Sequence, residues 1–153
     1  MDRRPTAFLT GLFLTTLATL CLEVLDTRLL SVMSWYHLSF FAVSTAMFGM
    51  SAGALRVYLG GAAFEGERAS AALARYAALF AITTPLTHVA SLVIPLQEGA
   101  STASIAAFTI TTLALAIPFY MSGVVVTVAL TRIPGRIGLA YAGGWLGASL
   151  GAL

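Results

Sequence analysis

The residues in this sequence best suited to chemistry are Glu23, Asp26 and Arg28, three ionisable side chains within an otherwise apolar stretch. At about 100° per residue, a straight helix places Glu23 and Asp26 on one face and Arg28 on the opposite side. Arg28 therefore cannot neutralise either acid along an unbroken helix. Either the helix breaks near Asp26, or each charge has a partner elsewhere.

Two interpretations of this charged cluster stay open. In the first, the charges form a structural ion-pair network that fixes helix one against its neighbours. In the second, Glu23 and Asp26 bind a cation or a proton, and Arg28 sets their charge state. The position favours a function, because ionisable residues inside a membrane usually pair, line a cavity or act on a ligand.

The two histidines, His37 and His88, are secondary candidates. A pair of histidines in a membrane bundle can ligate haem or a metal. Here, His37 is predicted at the outer end of helix two and His88 inside helix three, so the two do not share a level. We therefore predict no metal and no cofactor, and a hydrogen-bonded His88 near a proline kink at Pro85.

No motif in the chain predicts a catalytic residue. The sequence has no phosphate-binding glycine loop between a strand and a helix, no zinc signature and no serine nucleophile elbow. Any enzymatic activity would therefore belong to a part outside these residues.

Composition identifies the environment in which these side chains must be positioned. The chain has 153 residues, of which 59% are hydrophobic and 9% charged, whereas a soluble domain carries about 25% charged residues. This indicates an integral membrane protein with the lipid bilayer as its main partner. The net charge of +2 gives no indication of nucleic-acid binding.

The hydropathy pattern predicts an all-α, polytopic bundle of about five transmembrane helices in one domain, residues 1–153. Helices are expected because backbone groups in lipid must be satisfied internally. The predicted helices cover residues 6–34, 38–59, 71–96, 102–131 and 137–153. Seven of the eight arginines fall on one side of this arrangement, so the positive-inside rule predicts a cytoplasmic N-terminus.

Small residues at helical spacing predict close helix packing. Gly49 and Gly53 form one such stripe, and Gly143, Gly147 and Gly151 form another. Stripes of this kind let helix backbones approach each other. The partner helices are expected within the chain or in a further part of the protein, since the apolar end of segment five predicts a longer or split protein.

Several segments resemble a known membrane family. They are Leu22–Ser31 with Trp35, Gly49–Ala54, Leu130–Gly138 with Tyr141, and Leu146–Gly151. These resemble the N-terminal membrane region of spermidine synthase-like membrane proteins, of the fused major-facilitator/spermidine synthase type. The resemblance implies a helical membrane region that precedes a soluble, aminopropyltransferase-like domain, and that soluble domain is not in this sequence.

Three functions follow as hypotheses. The first is a transporter-like or substrate-channelling membrane domain for a small, cationic solute, of polyamine type if the resemblance holds. The second is a structural anchor or assembly subunit that binds no solute. The third is the membrane part of an aminopropyltransferase-like enzyme. In each case we predict a multi-pass protein of the bacterial inner membrane.

Overall fold

The computed structural model describes residues 3–33, 39–93, 101–133 and 137–153, and these ranges are helical apart from short turns and helix ends. The predicted all-α bundle is confirmed. A 3-10 turn, Gly61–Phe64, joins the second and third helices. The helices are α1 (Arg3–Met33), α2 (Ser39–Gly60), α3 (Glu67–Val93), α4 (Thr102–Thr131) and α5 (Ile137–Gly151).

The largest difference from the predicted boundaries is at the start of α3. That helix begins at Glu67 rather than at residue 71, because the connection is compressed into the 3-10 turn and a tight bend. Gly61 and Gly66 adopt positive φ values of 41° and 57°, a conformation that glycine reaches without a steric penalty. At the other end of the chain, α5 ends at Gly151 rather than at residue 153.

Four of the helices are long and apolar enough to cross a membrane. The chain is therefore a multi-pass integral membrane protein, as the composition predicts. With 15 residues, α5 is about 22 Å long at 1.5 Å per residue, which is shorter than a hydrocarbon core of about 30 Å. The described spans are Thr6–Val32, Phe40–Phe64, Glu67–Val93 and Thr102–Thr131.

Glycines bring α2 and α4 into backbone contact. A Cβ added at Gly49 would lie 2.6 Å from the carbonyl oxygen of Ala116, and one at Gly123 would lie 2.5 Å from that of Met50. Gly53 is similarly pressed against the backbone of Tyr120. The lack of side chains at these positions lets the two helices pack at close range.

The second glycine stripe packs α5 against α1. A Cβ at Gly147 would collide with the carbonyl oxygen of Phe13, and one at Gly151 with that of Leu17. A Cβ at Gly143 would have no neighbour within 4 Å. The close backbone contact between α1 and α5 therefore uses Gly147 and Gly151 but not Gly143.

The charged ends of the helices are gathered at one end of the bundle. Phe8 and Leu12 of α1 pack in one cluster with Leu73 of α3, Ala129 of α4 and Ala140 of α5. The starts of α1, α3 and α5 therefore meet the end of α4. We call this the arginine end, because the described arginines Arg56, Arg68, Arg75 and Arg132 lie at or near it; the positive-inside rule predicts that it is cytoplasmic.

Candidate functional site

Asp26 is carried into the bundle interior by the regular repeat of α1. The helix continues without a break from Arg3 to Met33, so the break considered near Asp26 does not occur. Leu22 and Leu30, one turn before and one turn after Asp26, are both buried. Positions four apart share a helix face, so Asp26 lies on the core-facing stripe and is only 1% exposed.

The partner of Asp26 is His88 of α3. The His88 Nε2 atom lies 3.0 Å from Asp26 Oδ1. The other ring nitrogen, Nδ1, lies 3.1 Å from the carbonyl oxygen of Thr84, one turn earlier in α3. This is not the carbonyl that Pro85 leaves free, since a proline at that position withdraws its hydrogen bond from Ala81.

The contact of Nδ1 with Thr84 indicates which ring nitrogen of His88 carries a proton. A carbonyl oxygen can only accept a hydrogen bond, so Nδ1 must carry a proton and donate to Thr84. A neutral imidazole would then present a bare Nε2 lone pair to a carboxylate oxygen, and two acceptors repel. A further proton, either on Nε2 or on the carboxyl group, would relieve this repulsion.

The pair is close but incompletely satisfied. Although Nε2 and Oδ1 are within ion-pair distance, the direction of the ring N–H does not make a hydrogen bond. Within the described part of the chain, both carboxylate oxygens of Asp26, Nε2 of His88 and the hydroxyl of Thr111 are buried with no hydrogen-bond partner. Buried polar atoms without partners are rare and often mark a place for a water molecule or a ligand group.

Helix geometry puts this pair far from the arginine end. Phe8 of α1 and Leu73 of α3 lie in one cluster at that end. At 1.5 Å per residue, Asp26 is about 27 Å further along α1, and His88 is about 22 Å further along α3. Because both helices continue beyond the pair, to Met33 and Val93, the pair lies inside the spanning segments, toward the end opposite the arginines.

Neighbouring hydroxyl groups on α3 are already used within the helix. The Thr87 hydroxyl donates to the carbonyl of Thr83 at 2.9 Å, and the Ser91 hydroxyl donates to that of His88 at 2.7 Å. Such bonds satisfy Ser and Thr inside a membrane helix. These side chains therefore line the region without neutralising Asp26.

The structure separates the three residues of the predicted charged cluster. Glu23 is half-buried and Arg28 is exposed, and neither forms an ion pair with a residue in the described ranges. Only Asp26 reaches the interior, where it meets His88 instead of a residue of its own helix. His37 lies outside the described residues.

The arrangement gives no indication of a metal centre among the described residues, where no group of three or more His, Cys, Asp or Glu side chains comes together. What the pair can do chemically is hold one proton, release it, or exchange it for a cation. Sequence reasoning identified Asp26 and His88 separately and missed their contact. The helical spacing of Asp26 with Leu22 and Leu30 was the available signal for its burial.

No protein-family model matches this chain, and comparisons with curated proteins and with solved structures return no match. The function must therefore be argued from the site itself.

Proposed function

We propose that this chain is an integral membrane domain that binds and releases a proton at the Asp26–His88 pair. In this proposal the proton is coupled to the movement or channelling of a small cationic solute across the bundle. The observation that carries it is the 3.0 Å approach of Nε2 to Oδ1 while Nδ1 is used by Thr84. That geometry supports a proton held by two side chains buried in a membrane span.

Burial makes the proton important for conformation. With the proton present the pair has no net charge, whether it is an imidazolium with a carboxylate or two neutral groups. Without the proton, a lone carboxylate remains at 1% exposure, and an uncompensated buried ion costs several kcal/mol. Loss of the proton therefore favours any arrangement that gives Asp26 access to water or to another cation.

The unpartnered carboxylate oxygens support a ligand at this pair. Both oxygens of Asp26 are buried acceptors without a hydrogen-bond partner among the described residues. An ammonium group carries donors only, so a protonated amine could replace the proton and satisfy Asp26. This is the chemical reason for a cationic solute rather than an anionic or neutral one.

Two measurements on purified protein test the proposal. With histidine labelled with ¹⁵N, the ring signals of His88 report which nitrogens carry protons, and Asp26→Asn should change those signals. In proteoliposomes, concentration jumps of methylammonium, putrescine and spermidine should evoke proton-coupled currents. Those currents should be lost in Asp26→Asn.

Glu23→Gln is the matched control for these measurements. It removes one carboxylate from the same helix, one turn away, at a half-buried position. We expect this variant to retain the currents and the ¹⁵N ring signals of His88. Currents that persist in Asp26→Asn would contradict the proposed role of the pair.

A structural role is the second candidate, and one observation favours it. The Asp26–His88 contact bridges α1 and α3, two helices that pack mainly against other helices of the bundle rather than against each other. As an anchor, the pair would hold these helices together and bind no solute. Intact wild-type protein that gives no current with any of the three amines, together with a large loss of stability in Asp26→Asn, would favour this alternative.

The third hypothesis, the membrane part of an aminopropyltransferase-like enzyme, rests on the sequence resemblance alone. It remains a prediction that the reading frame around this segment can test. A downstream soluble domain with a glycine-rich cofactor loop would support it.

A further inference from the structure

A second polar feature lies at the arginine end and takes no part in the Asp26–His88 site. Three arginines, Arg56 of α2 and Arg68 and Arg75 of α3, line one open cavity of about 340 Å³. The rest of its wall is formed by the aromatic rings of Phe64 and Tyr76 and by the small side chains of Ala63, Ala71 and Ala72. Small alanines leave room between the cationic side chains.

The positive charge of this cavity has no counterpart in its wall. No acidic side chain is among its described lining residues. Glu65, in the connecting turn, forms an ion pair with Arg132 at 3.0 Å. Glu67 is exposed in the first turn of α3. The cavity therefore combines three guanidinium groups without a carboxylate, which is the arrangement that attracts an anion.

The local structure also restrains part of this charge. The Arg56 guanidinium lies over the ring of Phe64, 5.7 Å from its centroid, and Phe64 is itself 2% exposed in the core. Arg68 and Arg75 are seven residues apart on α3, which puts them on one face about 10.5 Å from each other along the axis. An anion between α2 and α3 can therefore be contacted from two helices.

An apolar track leads away from the cavity along the same face of α3. Ile82, Leu86, Val89 and Val93 follow Arg75 at spacings of seven, four, three and four residues, so they share its face. All four are exposed, between 59% and 74%. This continuous stripe of exposed apolar side chains begins at the cavity and runs toward the membrane interior.

From this arrangement we infer that the cavity binds the phosphate of an anionic phospholipid, with one acyl chain along the α3 stripe. Guanidinium groups bind phosphate by charge-assisted, often bidentate hydrogen bonds, and basic pockets between membrane helices recognise lipid headgroups. A free phosphate would use the arginines alone. The apolar track is the observation that favours a lipid.

The experiment compares lipid binding by full-length variants in neutral detergent. Phosphatidylglycerol is titrated against the protein, with phosphatidylcholine as the neutral lipid, and binding is followed by native mass spectrometry and by the shift in unfolding temperature. We expect Arg68→Gln and Arg75→Gln each to weaken phosphatidylglycerol binding about fivefold, as expected for one surface cation. Arg75→Lys should keep most of the binding, because it keeps the charge.

Arg132→Gln is the matched control, since it removes one arginine from the same end but from outside the cavity. It should change lipid binding less than either cavity variant, and equal losses in all three variants would overturn the inference. Inorganic phosphate and glycerol 3-phosphate form the second arm of the experiment. If either one binds as tightly as phosphatidylglycerol, or if Ile82→Ser leaves lipid binding unchanged, the lipid assignment is wrong.

Discussion

Removal of the His88 ring should turn Asp26 into an uncompensated buried charge. The imidazole is the partner that the structure gives this carboxylate, at 3.0 Å, and Asp26 is 1% exposed. In His88→Ala the Asp26 side chain should still point into the core, because the buried Leu22 and Leu30 keep that face of α1 packed inward. The lost partner therefore cannot be replaced by solvent without opening the bundle.

The magnitude follows from comparison with a double variant. Breaking a buried ion pair from one side costs about 3–5 kcal/mol. In His88→Ala/Asp26→Asn the charge is gone, and an unpartnered buried amide costs about 1–3 kcal/mol. The void left by the imidazole is common to both variants and cancels. The double variant should thus be about 2 kcal/mol more stable than the single variant, from the difference of these two ranges.

The assay is denaturant titration of purified protein in mixed micelles, repeated across a range of pH. The single variant should be more stable at low pH than at neutral pH, because a protonated carboxyl group brings no charge into the core. The double variant has no carboxylate at this position and should show no such dependence.

Equal stability of the single and double variants at neutral pH would refute this reasoning. It would mean that Asp26 reaches water or another cation once His88 is removed. A pH dependence that persists in the double variant would assign the titration to another group.

Three further predictions follow from the same structure. Gly147→Ala should destabilise the fold, because the added methyl group would collide with the α1 backbone. Gly143→Ala places its methyl group where no neighbour lies within 4 Å, so it should be neutral or gain up to about 1 kcal/mol from helix propensity. Thermal unfolding compares the two variants. Ser122→Ala should lower the free energy of unfolding by only about 0.6 kcal/mol, the average for membrane hydrogen bonds. The loss is small because its partner Thr19, 2.5 Å away, still makes a hydrogen bond within its own helix. A loss several times larger in equilibrium unfolding would contradict this. Arg28→Gln should leave stability and the ¹⁵N ring signals of His88 unchanged, since Arg28 is exposed. Altered His88 signals in this variant would restore the predicted role of Arg28 in setting the charge state.

Much of the fold is predictable from local properties of the sequence. Long apolar segments must form helices in lipid, because their backbone groups have no other partner there, and the observed α4 has the predicted bounds, Thr102–Thr131. The start of α3 was less predictable. Gly61 and Gly66 allow a turn so tight that Glu67 already begins the helix, and hydropathy does not report this.

The candidate site was only half predictable. Asp26 shares a helix face with Leu22 and Leu30, a repeat that is visible in the sequence, but the sequence does not say that this face is the buried one. The spacing of Glu23 and Asp26 suggested a shared site as well, but one turn of helix leaves Glu23 half-buried and Asp26 inside. This difference in burial depends on which neighbouring helix covers each position, and no local pattern contains that information.

The sequence alone determined that this protein is a helical bundle in a membrane, because hydrophobicity and backbone hydrogen bonding act residue by residue. It also determined that Asp26 and His88 are costly residues for such a location. Only the tertiary structure decided that they meet, since α1 and α3 are brought together by helix packing across the bundle. That contact, with Nδ1 of His88 held by Thr84, changes two isolated polar residues into a buried pair.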